Sequence, residues 1–309
     1  MSRKYCVVGA GGCGGSIAAY MAKAGCDITL IARGEHLAAI KEHGLTMETP
    51  HLEAFTVRDI KAVTAEEYAQ AGEKPDVIFV CVKGYSLPEI MPFLQEYAHE
   101  HTVIIPILNI YGTGSVLQKE LPQSLVTDGC IYIAAEKKEP GVILQKGSIF
   151  RIVYGVRNRE DLRKELFEIL ADLRESGIDA RLSDNIARDA FQKYSYVAPM
   201  AACGLYFDAK AEVFQQAGDE REFLSDCMAE INALAEAMGI PFLVDIVKTN
   251  LEILDALSPE ASTSMQRDIW AGNPSEMDGL VFEPVRMGRK YGVSMPKYEM
   301  IARKFGFEE

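Results

Sequence analysis

Residues 5–33, YCVVGAGGCGGSIAAYMAKAGCDITLIAR, constrain this chain more than any other stretch. An apolar run over residues 5–8 stops at Gly9-x-Gly11-x-x-Gly14, which predicts a strand, a tight glycine turn and a helix over residues 14–23. Gly25 ends that helix, and residues 27–32 supply a second strand. Gly9 permits the turn, Gly11 lets a pyrophosphate approach the backbone, and Gly14 allows the helix to pack closely on the strand. With Ala10, Gly12 and Cys13 they form a loop whose unsatisfied N–H groups, at the positive end of the helix, suit phosphates. A dinucleotide site is expected here. The other use of such glycines is an ordinary turn; the strand, helix and second strand around them favour the nucleotide. Where an NAD site presents an acid to the ribose 2′-hydroxyl, this chain has Arg33. A carboxylate there would repel a 2′-phosphate, whereas a guanidinium grips it with two charge-assisted hydrogen bonds. NADP (NADPH) is therefore expected over NAD.

Downstream the first half alternates strand and helix patterns. Residues 35–43 predict a helix ended by Gly44, followed by a variable stretch to about Lys61. Residues 77–82 form a continuous apolar run of the kind buried in a parallel sheet. Helix is expected over 87–97, 114–121 and 162–176, and strand over 102–108, 124–132 and 179–182. The alternating stretch 141–154 reads as a hairpin. This pattern predicts an α/β fold with a Rossmann-type doubly wound sheet. Composition changes near Ser183-Asp184-Asn185, where Ser183 or Asp184 would cap a helix. Helix then dominates, over 187–207, 219–238, 241–256 and 275–291. The expected plan is an NADP-binding domain over residues 1–183 and an all-helical substrate and catalytic domain over 184–309. Ligands would lie in a cleft between them, beside the carboxyl ends of the parallel strands.

At 309 residues such a division is ordinary, as are the hydrophobic share of 48% and the charged share of 25%. The net charge of −13, without any Lys/Arg block, argues against a nucleic-acid partner. The first strand begins by residue 5, leaving no room for a signal peptide, and the longest apolar stretch, 103–111, is too short to span a bilayer. Seven cysteines form no CxxC pair and five histidines have no metal-ligand spacing. These features predict a cytoplasmic protein with no metal and no membrane partner.

Several ordered blocks carry a resemblance. They are GAGGCGG with Arg33 and HLAAIKEHGL, Val80-Cys81-Val82-Lys83, Asn109 after an apolar strand, EPGV at 139–142, Phe191-Gln192-Lys193, TSMQRD at 263–268, SEMD at 275–278 and GRKYG at 288–292. In these the chain resembles the ketopantoate reductase (2-dehydropantoate 2-reductase) family over nearly its whole length. The resemblance implies reduction of a small-molecule 2-oxo acid to the 2-hydroxy acid by NADPH, in pantothenate biosynthesis. It implies that Lys193 is the proton donor. Hydride reaching a carbonyl carbon leaves negative charge on oxygen, which an ammonium both stabilises and protonates. The plainer reading of Lys193 is an i, i+4 pair with Asp189.

By the same resemblance Glu276 would bind the nicotinamide ribose and help orient Lys193, and Ser264 would hold the substrate carboxylate. Asn109 would touch both cofactor and substrate, Lys83 the cofactor phosphates, and the Ala135 backbone the cofactor. Each has a plainer alternative: an early helix acid for Glu276, a helix cap for Ser264, a turn for Asn109, a solvated strand end for Lys83. Glu230 matches a recurring family acid and serves equally well as a structural group. The chain also departs from the family. Val197, Ala201 and Ala261 replace asparagines that touch substrate, and Ile110 replaces the glycine of an Asn-Gly turn, where a positive φ would strain it. Pro199 would free the carbonyl of Ser195 and bend its helix. Each lost amide forfeits about 0.5–1.5 kcal/mol, so a less hydroxylated 2-oxo acid is an alternative substrate. An opine-type imine reductase and a non-catalytic NADP sensor are the other readings. Apolar faces in the helical half would suit either its own core or a homodimer.

Overall fold

The computed structural model describes residues 3–308. These divide into two compact units. One comprises residues up to Leu108 and Gly112–Ile186; the other comprises Asn109–Tyr111 and the chain from Ala187 on.

The first unit contains strands β1 (Lys4–Val8), β2 (Asp27–Ile31), β3 (Leu45–Glu48), β4 (Phe55–Val57), β5 (Lys61–Val63), β6 (Val77–Val80), β7 (Val103–Pro106), β8 (Leu125–Val126), β9 (Asp128–Glu139), β10 (Val142–Gly155) and β11 (Asp179–Leu182). Its helices are α1 (Gly12–Lys23), α2 (Gly34–His43), α3 (Ala65–Ala71), α4 (Leu87–Tyr97), α5 (Thr113–Glu120) and α6 (Lys164–Glu175). Six strands form a parallel sheet in the order β5-β2-β1-β6-β7-β8, with β1 and β6 at the centre. That order places the first crossover reversal beside β1, where ligands of such sheets bind. Apart from the exposed Lys4 at the start of β1, the central strands are apolar because both faces are covered. Tyr5, Val7, Val77 and Phe79 enter one core, while Cys6, Val8, Ile78 and Val80 enter the opposite one, as the two-residue period requires.

The doubly wound sheet is thus present, and a second, five-stranded sheet accompanies it. Residues 141–154 do not fold as a hairpin of their own. From Val142 on they belong to β10, a single long strand that pairs antiparallel with β9 and breaks register between Gln145 and Phe150. The expected strand over 124–132 is split. β8 closes the parallel sheet, and β9 begins after Thr127 and enters the second sheet. The short strands β3 and β4 lie in the stretch whose pattern predicts no element. They pair with each other, and β3 adds to β10.

The second unit contains most of α7 (Ile186–Tyr206), and α8 (Ala211–Gln215), α9 (Asp219–Ala237), α10 (Ile246–Asp255), α11 (Ser264–Trp270), α12 (Glu283–Tyr291) and α13 (Pro296–Lys304). Neither Ser183 nor Asp184 occupies the cap position of α7, which falls to Asn185; the Ser183 hydroxyl accepts from the Asn185 N–H at 3.0 Å one step earlier. α10 begins at Ile246 and not at Pro241, because Asp245 caps it by accepting from Lys248 N–H. The segment 275–291 is not one regular helix either. Residues Asp278–Phe282 form a π turn ahead of α12. Among the described residues no helix is long and apolar enough to cross a membrane.

Candidate active site

The glycine loop between β1 and α1 is held by its own sterics. Gly9 has φ of 106°, and a Cβ there would lie 2.8 Å from the Cys81 carbonyl oxygen. A Cβ on Gly14 would strike the Gly9 carbonyl and approach Cys81 and Val7. A Cβ on Gly12 would run into the Ala135 carbonyl of β9, so the loop and Ala135 are brought together. Gly11 differs from these three. Its φ of −74° suits any residue, and nothing lies within 4 Å of the Cβ position. It is also the N-cap of α1, where Ser, Thr, Asp or Asn would stabilise the helix better by capping. No side chain caps α1 and its first turn holds no acid. No neighbouring protein atom therefore demands a bare backbone at Gly11. Ala10 and Cys13, the remaining loop residues, are partly buried against the core.

Arg33 and Lys83 follow β2 and β6, so chain direction in the parallel sheet carries both to the same edge as the glycine loop. Arg33 occupies the N-cap position of α2 in extended conformation, without capping it through its side chain. That side chain is 82% exposed and its Nη1 donates to Glu89 of α4 at 2.9 Å. An exposed pair of this kind is weak, so the guanidinium remains exchangeable toward a more highly charged anion. Lys83 is half-buried and begins the short 3-10 turn Gly84–Ser86.

In the second unit, Lys193 lies on α7, in sequence between Phe191 and Tyr194, whose buried rings stack with centroids 5.6 Å apart. Its Nζ donates to Oδ1 of Asn109 at 2.7 Å. Two expected site residues separated by 84 positions are therefore brought together. The neighbours of Asn109 fix it there. Tyr111 sets its ring edge-on to Phe191 with centroids 4.7 Å apart. Ile110 lies against Gly279 in the π turn, where a Cβ would be 2.6 Å from its side chain. The expected strain at Ile110 does not arise. The positive φ of this turn belongs to Gly112, at 80°, and Ile110 is not among the positive-φ residues.

Pro199 sits inside α7 and leaves the Ser195 carbonyl without its helical donor. The buried Asn250 of α10 supplies one, donating to Ser195 O at 3.0 Å and Oγ at 3.1 Å. Sequence reasoning missed Asn250; an unexplained Asn in an amphipathic helix was the available signal. Ala201 is fully buried in the helical core, and Val197 and Ala261 pack against it half-buried. Ser264 is the first residue of α11 and not its cap. Thr263 fills that role through a capping box with Gln266. Glu276 is 3% exposed, immediately ahead of the π turn, and its carbonyl accepts from Leu280 N–H. Glu230 is structural. Its two carboxylate oxygens accept from the N–H groups of Lys297 and Tyr298 and so cap α13. Burial pushes its pKa up, and those two N–H groups oppose the shift.

The chain is similar to known oxidoreductases along nearly all of its length. An uncharacterized oxidoreductase, YkpB, of Bacillus subtilis is 26% identical, with 96% of each chain covered. The crystal structure of 2-dehydropantoate 2-reductase from Methylococcus capsulatus superposes with a TM-score of 0.85 at 25% identity, over 98% of this chain and 95% of that one. A ternary structure of D-mandelate dehydrogenase with NADH and anilino(oxo)acetate shares the fold, with a TM-score of 0.86 at 21% identity over 97% and 96% of the two chains. Residues 5–159 match the family model for ketopantoate reductase PanE/ApbA, and residues 185–307 match the model for its C-terminal part. With both models matched in order, the chain belongs to the ketopantoate reductase family, oxidoreductases that use a nicotinamide cofactor.

Proposed function

We propose that this protein is an NADPH-dependent reductase of a 2-oxo acid, with Lys193 as proton donor and 2-dehydropantoate as the first substrate to test. The observation that carries the reading is the Lys193–Asn109 hydrogen bond at 2.7 Å, in a chain whose glycine loop leaves one face of Gly11 bare. A bound reduced nicotinamide supplies the hydride. The part of the chain's own residues is binding and proton transfer. The N–H groups at the start of α1 and the Gly9–Gly14 loop hold phosphate oxygens, with Lys83 and the Ala135 backbone beside them. Arg33 exchanges Glu89 for the 2′-phosphate, a doubly charged and bidentate partner. Asn109 accepts one proton of the Lys193 ammonium and so aims the remaining two. One of these passes from Nζ to the carbonyl oxygen of the substrate as negative charge develops there. The Ser264 hydroxyl receives the substrate carboxylate, and Glu276 accepts from ribose hydroxyls.

A second reading concerns the substrate only. Val197, Ala201 and Ala261 offer no amide where the family resemblance implies three, which favours an acid with fewer hydroxyl groups. The test is initial-rate oxidation of NADPH and NADH with 2-dehydropantoate, 2-oxoisovalerate and phenylglyoxylate. The expected result is a kcat/KM at least about tenfold higher with NADPH than NADH, and measurable turnover of one of the three acids. No oxidation with any of them, alone or with an added amine, sinks the reductase reading.

A further inference from the structure

His36 belongs to the HLAAIKEHGL block and Gly141 to the EPGV block, yet neither has a part in the proposed binding of cofactor or substrate. The structure joins them. The Gly141 N–H, at the tip of the β9–β10 hairpin, donates to His36 Nδ1 at 2.9 Å. Gly141 holds a φ of 81°, and its carbonyl accepts from Thr46 N–H at 2.9 Å. His36 is 7% exposed in the first turn of α2, three residues after Arg33.

Because Nδ1 accepts a hydrogen bond, a neutral ring must carry its proton on Nε2. Burial, reinforced by the Lys137 charge, lowers the His36 pKa and keeps the ring neutral. The Ala10 carbonyl acts in the opposite direction, favouring a proton on the ring. Nε2 is nevertheless buried without a hydrogen-bond partner. A buried N–H with no acceptor forfeits its hydration without a return, and such groups are rare in folded proteins. The Ala10 backbone, which acts on the ring, is part of the glycine loop.

We propose that His36 is a positioning residue for the cofactor: its Nδ1 is anchored by Gly141, and its Nε2–H is aimed at the Ala10 carbonyl, so that the ring holds the glycine loop in place for the nucleotide phosphates. The inference rests on the glycine loop being the cofactor site.

Two substitutions separate the two ends of the ring. In His36→Asn the amide oxygen overlays Nδ1 and keeps the Gly141 bond, but nothing reaches Ala10. In His36→Gln the amide reaches the Nε2 position and the Gly141 bond is lost. His36→Asn should melt near the wild-type temperature, raise the NADPH Kd and KM about tenfold, and leave kcat at saturating NADPH within about twofold. His36→Gln should lower the melting temperature while keeping the NADPH Kd within about threefold of wild type. In 15N spectra of the wild type, the His36 Nε2 signal should move on addition of NADPH and the Nδ1 signal should not. His36→Asn binding NADPH as tightly as wild type, or a drop in kcat at unchanged KM, would overturn the positioning role. Wild-type protein binding neither NADPH nor NADH would overturn the cofactor reading itself.

Discussion

The glycine loop and the Lys193 helix use opposite materials. In the loop, the decisive feature at Gly9, Gly12 and Gly14 is the absence of a side chain, enforced by backbone atoms of Cys81, Ala135 and Gly9 itself. Around Lys193 the decisive features are side chains: Asn109 on the ammonium, Tyr111 and Ile110 holding Asn109, and Asn250 mending the backbone beside Pro199. A site made of missing atoms tolerates almost no substitution, because every alternative residue adds a Cβ. A site made of side chains keeps its frame when one reacting group is removed. Under the proposed function, the first kind couples binding to folding and the second separates chemistry from folding.

The sharpest way to break this contrast is Lys193→Ala. Removing the proposed proton donor should lower kcat by about 10²–10⁴-fold. The NADPH Kd and the melting temperature should stay near wild type, read by calorimetry and thermal unfolding. Persistence of kcat would mean that the second region does not carry the proton. The next test contrasts two glycines of one loop, one crowded by protein and the other open. Gly14→Ala forces its Cβ into the Gly9 carbonyl and should cost roughly 1–3 kcal/mol in urea unfolding. Gly11→Ala meets no protein atom and should cost less than about 1 kcal/mol, the loss of a glycine N-cap, yet bind NADPH at least about tenfold more weakly. Equal effects of the two substitutions on stability would erase the distinction drawn for Gly11. The smallest effect belongs to Asn250→Leu, which strands the Ser195 carbonyl and should cost about 1 kcal/mol of unfolding free energy. A larger drop in kcat than in stability would show that Pro199 and Asn250 serve Lys193 more directly than a repaired helix requires.

The same contrast explains what was legible in the amino-acid sequence. The β1–α1–β2 unit stood out because only glycine meets its steric demands, and the central strands because both of their faces are buried. The second sheet was harder to see. β10 loses its alternation around Lys146–Ile149, where the chain is largely exposed and the register with β9 breaks. β8 and β9 are separated by a single residue, Thr127, so a change of sheet looked like one continuous strand. The helix boundaries at Asp245 and Met277 were displaced because a cap and a π turn depend on local hydrogen bonds that hydrophobic periodicity does not register. The side-chain site was the least legible. Lys, Asn, Ser and Glu each serve many ends, and the pairing of Lys193 with Asn109 exists only after folding.

Asn109–Tyr111 is a three-residue splint that one compact unit borrows from the middle of the other unit's chain. A polypeptide cut before Ala187 would inherit the lysine without its acceptor, the Phe191 ring without Tyr111, and Gly279 without Ile110. Grafting the C-terminal half onto a relative would thus import a mismatched splint unless those three positions travelled with it. For recombination between such enzymes, the natural crossover cassette is discontinuous, and the heritable module includes an island far upstream of its nominal start.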